Sequence, residues 1–169
     1  MTADQIQVYL EKLGSELQKK QVTGEIILAG GAVMLLVIKN RETTKDIDAY
    51  FTQEPQAIRE AAEIVAQQEG LTTDWINDGV KGFFYVPSPP TTVWAEYPGL
   101  RVYAASPDYL LSMKVVAGRP EDQEDIQALI AYLHLTSAEE VLAIVAQYVP
   151  PRLLTPRIQY LVEDFFDAA

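Results

Sequence analysis

The chain has 169 residues and no cysteine, which excludes disulfide bonds, thiolate metal ligands and cysteine nucleophiles. Its 24 acidic side chains outnumber its 13 Lys and Arg side chains, and the formal net charge is -11. Nucleic-acid binding needs cations that replace phosphate counterions, so we expect no general DNA or RNA binding, although a small basic pocket for a nucleotide remains compatible with this charge.

The first half of the chain alternates predicted helices and strands. Thr2 and Gln5 have the spacing of a capping box, and the apolar residues after them recur at helical intervals. A double glycine, Gly30-Gly31, follows the first predicted strand, and this position favours a helix for the ambiguous apolar segment after it. The predicted elements are a helix from Thr2, a strand at 25–29, a helix at 32–38, a strand at 46–51 and a helix at 55–68.

The second half begins with predicted strands and continues with helices. Strands are predicted at 81–86, 92–96 and 100–104. The last two should form a hairpin, because Pro98 and Gly99 stand where a type II turn places them. Ser106 should cap a helix that ends at Gly118, and three further helices should follow, the last two separated by Pro150-Pro151.

This order of elements predicts an α/β (α+β) fold, with a mixed β-sheet core flanked by helices and a helical C-terminal half. We expect a core over residues 1–105 and a helical region over 106–169 packed on it as a single compact unit. No apolar run reaches the roughly 20 residues that span a bilayer, and the N-terminal residues lack the pattern of a secretory signal. We therefore expect a cytoplasmic protein without a membrane partner.

Two carboxylates are predicted to lie side by side. Residues two apart on a strand point to the same face, so Asp46 and Asp48 should present adjacent anions. Magnesium suits such a pair, because it takes hard oxygen ligands and usually keeps only one or two protein carboxylates. The alternative interpretation is a pair of solvated acids at a strand edge.

Gly30-Gly31 favours the metal interpretation. Glycine lets the backbone approach a phosphate closely, and a helix N-terminus offers unpaired N–H groups. Taken alone, the pair is equally compatible with a tight turn between a strand and a helix. The combination of this turn with the carboxylate pair is what indicates a nucleotide site.

The combined motifs resemble the DNA polymerase beta-type nucleotidyltransferase superfamily, and most closely its AbiEii-like and related uncharacterised bacterial branches. The first motif reads Gly30-Gly31-Ala32-Val33, and the second reads Thr44-Lys45-Asp46-Ile47-Asp48. A third stretch, of the form K-x-x-A-x-R-x-x-D-x-x-D, begins at Lys114 and ends at Asp125. The three motifs cover residues from about 25 to 125 in the order that these branches have.

The resemblance implies roles for residues in all three motifs. Gly30 and Gly31 would hold the triphosphate, with Thr44, Lys45 and Arg119 as further nucleotide-binding residues. Asp46 and Asp48 would be catalytic residues that ligate Mg²⁺ or Mn²⁺, and Lys114 would also be catalytic. The alternative for the third motif is that Lys114 and Arg119 simply pair with Asp122 and Asp125 at the surface.

Active members of the superfamily usually add a third carboxylate from a neighbouring strand. Glu96 is the expected candidate here, because period-two alternation places it on one strand face with Thr92 and Trp94. If Glu96 points elsewhere, the site has only two acids.

Two functions follow from this reading. The first is a metal-dependent nucleotidyltransferase that moves a nucleoside monophosphate from a nucleoside triphosphate to a protein or RNA acceptor such as tRNA; the resemblance suggests a toxin–antitoxin setting. The second is a catalytically degenerate module that binds a nucleotide or a partner protein.

Overall fold

The computed structural model describes residues 1–80 and 90–167, so the strand predicted at 81–86 lies outside the described residues. The chain forms two compact units: the first comprises residues 1–82 and 91–105, and the second residues 83–90 and 106–169. Within the described residues, no helix has both the length and the apolar character that crossing a membrane requires.

A five-stranded mixed sheet forms the centre of the first unit. Its strands are β1 (Gly24–Leu28), β2 (Ile47–Gln53), β3 (Ile76–Asn77), β4 (Thr91–Tyr97) and β5 (Leu100–Ala105). They lie in the order β3-β2-β1-β5-β4, with β1 antiparallel to β2 and parallel to β5. This mixed sheet with its helices confirms the predicted α/β class, although the short strand β3 was not predicted.

Two long helices cover one face of this sheet. Helix α1 (Ala3–Lys19) begins with the predicted capping box, because the Thr2 hydroxyl accepts the Gln5 N–H and the Gln5 side chain accepts the Thr2 N–H. Helix α3 (Pro55–Glu69) ends at Gly70 as predicted. A Cβ placed on Gly24 would lie 2.9 Å from side-chain atoms of both Leu17 and Ile58. The side of β1 that carries Gly24 therefore faces α1 and α3.

The segment after β1 is helical, as predicted, but irregular. Helix α2 (Gly30–Val33) continues directly into a π-helical turn over Met34–Ile38. The Met34 carbonyl accepts the N–H groups of Lys39 and Asn40 at 2.7 and 3.3 Å. Lys39 ends this turn in the left-handed conformation, with φ at 63°.

The predicted hairpin is confirmed, with an irregularity that the pattern did not predict. Strands β4 and β5 are antiparallel, and Gly99 takes the positive φ, 87°, that the turn requires. The register shifts between Val93 and Ala95, so Trp94 occupies a β-bulge. A bulge inserts one residue and reverses the alternation of faces beyond it.

The second unit contains helices α4 (Pro107–Ala117), α5 (Gln123–Tyr132), α6 (Ala138–Tyr148) and α7 (Pro156–Asp164). Helix α4 packs against each of the other three. Ser106 occupies the predicted N-cap position, but its hydroxyl donates to the carboxylate of Asp108 instead of accepting a backbone N–H. Gly118 ends α4 with φ at 60°, as predicted.

Candidate functional site

Gly30 lies directly against the carboxylate of Asp48. Its φ of 55° belongs to the left-handed region, and a Cβ added there would lie 2.5 Å from Oδ2 of Asp48. The Ala29 N–H donates to the Asp48 carbonyl at 2.9 Å, so the end of β1 and the start of β2 are fixed side by side. The left-handed φ and the short distance to Asp48 both disfavour a side chain at position 30. The contact with Asp48 therefore requires glycine.

Gly31 brings two further polar residues to the same turn. A Cβ at this position would lie 2.6 Å from the Thr44 hydroxyl and 3.2 Å from Nη1 of Arg41. Thr44 is buried, and its hydroxyl donates to the Asp46 carbonyl at 3.0 Å. The first two sequence motifs therefore meet at this turn, where the side chains of Arg41 and Thr44 closely approach the Gly31 backbone.

Asp46 and Lys45 lie in a bend just before β2, not on the strand itself. Asp46 is half-buried and Lys45 is exposed. The predicted strand of residues 46–51 therefore begins one residue late, because the Thr44 side chain binds the Asp46 carbonyl and takes it out of the sheet. Strand alternation alone does not fix the direction of the Asp46 carboxylate.

Asp48 points to the sheet face opposite α1 and α3. Leu28 lies on the same face of β1 as Gly24, and its register partner on β2 is Ala49. Ala49 therefore lies on the face that α1 and α3 cover. Successive residues on a strand alternate in direction, so Asp48 faces the other way. Its register partner on β3 is Asn77, whose side-chain oxygen accepts the Gly79 N–H at 3.2 Å. An amide thus lies next to Asp48 where sequence patterns indicated only a connector.

The register removes Glu96 from this group and corrects the prediction of a third carboxylate. Glu96 pairs with Arg101, which pairs with Glu25 at the opposite end of β1 from Asp48. Across the sheet, Asp48 lies at the position of Ala105 on β5. Ala105 is four residues beyond Arg101 along that strand, a separation of about 13 Å. Since a magnesium ligand lies about 2 Å from the ion, Glu96 and Asp48 cannot share one ion.

The bulge at Trp94 explains the misplacement of Glu96. Thr92 pairs with Ala104 and Glu96 pairs with Arg101. Ala104 and Arg101 are three residues apart and point to opposite faces, so Thr92 and Glu96 do as well. Simple alternation along 92, 94 and 96 therefore gave a wrong shared face. Among residues 1–80 and 90–167, no group of three or more histidine, aspartate and glutamate side chains is placed to hold a metal ion.

Two carboxylates would be enough protein ligands for one magnesium ion. The close approach of Gly30 to Asp48 leaves a cradle that any Cβ would fill. Asp46 stands two residues away, and magnesium is commonly held by one or two protein carboxylates, with the rest of its ligands supplied by water and substrate phosphates. Asp48 and Asp46 are the residues that would hold it.

The third motif forms a buried ion cluster inside the second unit. The Lys114 ammonium lies 3.0 Å from a carboxylate oxygen of Asp122 and 3.0 Å from one of Asp125. These three side chains are only 6–7% exposed. Arg119 donates to the second oxygen of Asp122 at 2.9 Å, while its own side chain is 59% exposed.

This cluster gives the third motif an architectural role. It connects the end of α4 with the start of α5 through charges that pair with one another. The pairing of Lys114 and Arg119 with the two acids was the alternative that the sequence left open, although the cluster is buried instead of superficial. A catalytic role of Lys114 and a nucleotide-binding role of Arg119 stay predictions.

A second polar network surrounds Asp108 in the first turn of α4. Its carboxylate accepts the hydroxyls of Ser106 and Tyr148 at 2.5 and 2.7 Å and the Tyr109 N–H at 2.9 Å. Burial alone would raise the pKa of Asp108, but these hydrogen bonds outweigh burial and place the pKa below its ordinary value. Burial, together with the bond to Asp108, raises the pKa of Tyr148 to about 12.

Comparison with known protein families gives a match that covers most of the chain. Residues 8–148 match a family described as nucleotidyltransferase of unknown function (DUF6036). The chain belongs to this nucleotidyltransferase family. Neither the comparison with curated proteins nor the comparison with solved structures gave a match.

The family match confirms the resemblance at the level of a nucleotidyltransferase, and it does not extend to the AbiEii-like branch. The matched span contains the glycine turn, the Asp46–Asp48 pair and the ion cluster of α4 and α5. Two residues next to the site did not enter the predicted set. Arg41 carried a weak signal, since it is a cation two residues before Thr43-Thr44, whereas Asn77 carried none without knowledge of β3.

Proposed function

We propose that this nucleotidyltransferase is a metal-dependent enzyme that transfers a nucleoside monophosphate from a nucleoside triphosphate to a protein or RNA acceptor. The observation that carries the proposal is the contact between Gly30 and Asp48, where a Cβ would lie 2.5 Å from the carboxylate. Such a contact has a clear use if the turn and the carboxylate hold two parts of one ligand, a phosphate group and its metal ion.

The residues have separate roles in this proposal. Gly30 and Gly31 expose backbone to the triphosphate, with Arg41 beside Gly31 as a cation for phosphate oxygens. Asp48 and Asp46 would hold Mg²⁺ or Mn²⁺, which supplies stabilisation of the charge that develops on the transferring group. The acceptor hydroxyl oxygen bonds to the α-phosphorus, pyrophosphate leaves with the electron pair of the broken bond, and the hydroxyl proton passes to solvent.

A second function is a degenerate member that binds nucleotide without transfer. It is favoured by the position of Glu96 at the far end of the sheet and by the lack of a group of three metal-binding side chains in the described part of the chain. The AbiEii-like branch and a toxin–antitoxin setting belong to the first proposal, where only the order of the motifs supports them.

A labelled-nucleotide assay separates the two functions. The wild type is incubated with each α-labelled nucleoside triphosphate, Mg²⁺ or Mn²⁺, and a cell extract as the pool of protein and tRNA acceptors. The enzyme predicts label on an acceptor, a loss of about a hundredfold or more in Asp48→Asn, and no change in Glu96→Gln. Binding of a nucleotide without transfer of any label would contradict the enzyme and support the degenerate module.

A further inference from the structure

A cavity of about 530 Å³ opens in the first unit between the start of α1, the π-helical turn and the bulge of β4. Its volume lies within the range typical of sites for small molecules. Leu35, Leu36 and Trp94 supply apolar wall, and Lys39 and Arg41 supply two cations. We call it the Trp94 cavity.

The backbone around the Trp94 cavity is unusual in two places. The π-helical turn of Met34–Ile38 contributes both of its leucines, and single π-turns are frequent at functional sites. Lys39 ends this turn in a left-handed conformation, which residues other than glycine adopt less readily. Both features concern residues that line the same cavity, so a ligand bound there would lie against this irregular backbone.

The side chains define the chemistry of a ligand. A half-buried indole beside leucines presents a flat apolar wall suited to a planar ring. Lys39 and Arg41 suit a phosphate group, and Arg41 can bind it with two parallel hydrogen bonds. Asp4 and Glu42 also line the cavity. These two acids can accept the N–H groups of a base, and they disfavour a ligand with several phosphates.

We propose that the Trp94 cavity binds one nucleoside monophosphate unit, at a site separate from the glycine turn. The base would lie against Trp94 and the phosphate between Lys39 and Arg41. Arg41 connects the two sites, because its guanidinium lies 3.2 Å from the position of a Gly31 Cβ and also lines the cavity. The unit comes either from a free nucleotide or from the unpaired end of an RNA strand, which share this chemistry.

Fluorescence of Trp94 tests the proposal without metal or catalysis. The chain has two tryptophans, and Trp75 is only 2% exposed with its N–H bound to the Ala62 carbonyl. The four nucleoside 5′-monophosphates are titrated in the presence of a chelator. At least one should quench the fluorescence in a saturable manner, and calorimetry should give the same affinity.

Four variants locate the binding. Lys39→Asn removes the cation but tolerates the left-handed backbone, and Trp94→Leu removes the ring; each should weaken binding about tenfold or more, measured by calorimetry. Trp94→Phe keeps an aromatic wall and should stay within about threefold of the wild type. Lys19→Asn, at a lysine whose side chain is 69% exposed, is the matched control and should leave binding unchanged.

The outcomes also separate this inference from the proposed function. Asp48→Asn should lower transfer from triphosphates by about a hundredfold or more yet retain binding of the monophosphate. Loss of monophosphate binding in Asp48→Asn would overturn the inference, because the ligand would then occupy the glycine turn. Lack of saturable binding, or equal affinities in Lys39→Asn, Trp94→Leu and the wild type, would overturn it as well.

A single-stranded RNA hexamer with a 5′-phosphate distinguishes the two sources of the unit. Binding about tenfold tighter than that of the monophosphate would support a strand end, and equal or weaker binding would support a free nucleotide. In either case, Lys39→Asn and Trp94→Leu should weaken hexamer binding as they weaken binding of the monophosphate. Hexamer binding that neither variant weakens would contradict the inference.

Discussion

The glycine turn at Asp48 and the Lys114 cluster both come from motifs that the sequence analysis singled out, yet their carboxylates have different surroundings. In the cluster, Lys114 stands between two carboxylates, and all three side chains are 6–7% exposed. At the turn, Asp48 remains half-buried while glycine backbone packs closely against its carboxylate.

This difference bears on the proposed function, which assigns chemistry to the glycine turn and an architectural role to the cluster. A buried charge must be paired, and a cluster that pairs its own charges stabilises the junction of two helices without a ligand. In the proposed function, Asp48 and the side-chain-free surface beside it receive a metal ion and a phosphate group from outside. The following predictions test this contrast, beginning with the largest effect.

Lys114→Met should cause the largest loss of stability. It keeps the volume of the side chain but leaves Asp122 and Asp125 buried without their shared cation, which should lower the free energy of unfolding by about 3–5 kcal/mol. Urea unfolding at pH 7 measures it. Arg119→Gln is the companion change and should cost under about 1 kcal/mol, because the Arg119 side chain is 59% exposed. Equal losses of stability in the two variants would show that Lys114 is not the shared buried cation of Asp122 and Asp125.

Gly30→Ala should cause a smaller loss of stability and a complete loss of the site. The left-handed backbone costs about 1–2 kcal/mol, and the overlap with the Asp48 carboxylate adds about 1–2 kcal/mol. Gly70→Ala is the matched control, because Gly70 has φ at 68° and nothing within 4 Å of an added Cβ. Nucleotide binding should disappear in Gly30→Ala and persist in Gly70→Ala. Binding retained in both would contradict the role of the turn.

Tyr148→Phe should have a smaller effect that depends on pH. At pH 7 it removes the hydrogen bond to Asp108 and should cost about 1 kcal/mol. Because the folded state lowers the pKa of Asp108 from its ordinary 3.8, the stabilisation is present above that value and is lost as pH falls through the folded pKa. Because the pKa of Tyr148 rises from 10.0 to about 12, the stabilisation is also lost as pH rises from 10 through 12.

Unfolding measured across this range checks the prediction. The difference in unfolding free energy between wild type and Tyr148→Phe should be largest near neutral pH and should shrink toward both extremes. A difference that does not change with pH would show that the Tyr148 hydroxyl acts through packing alone.

Much of the fold followed from local signals in the sequence. The capping box at Thr2, Gly70 at the end of α3, and Pro98-Gly99 in the hairpin each reflect a requirement that acts within a few residues. The meeting of Gly30 with Asp48 followed from two short motifs, because β1 ends and β2 begins at the same edge of the sheet.

The failures came from interactions between residues distant in sequence. The bulge at Trp94 shifts the register of β4 on β5 by one residue. This shift alone places Glu96 on the opposite face of the sheet from Thr92. Strand β3 has two residues and exists because Ile76 and Asn77 pair with Ile47 and Asp48, which no periodicity in so short a segment can indicate. The burial of Lys114 likewise depends on the return of α5 to α4, not on the spacing within the motif.

Calorimetric titration with magnesium and a nucleoside triphosphate tests the central claim most directly. We predict metal-dependent binding by the wild type and by Glu96→Gln, whose carboxylate lies at the far end of the sheet. The metal dependence should be lost in Asp46→Asn with Asp48→Asn, because these carboxylates are the proposed ligands. Equal metal-dependent binding by that double variant and the wild type would contradict the claim that the glycine turn and Asp48 form the nucleotide site.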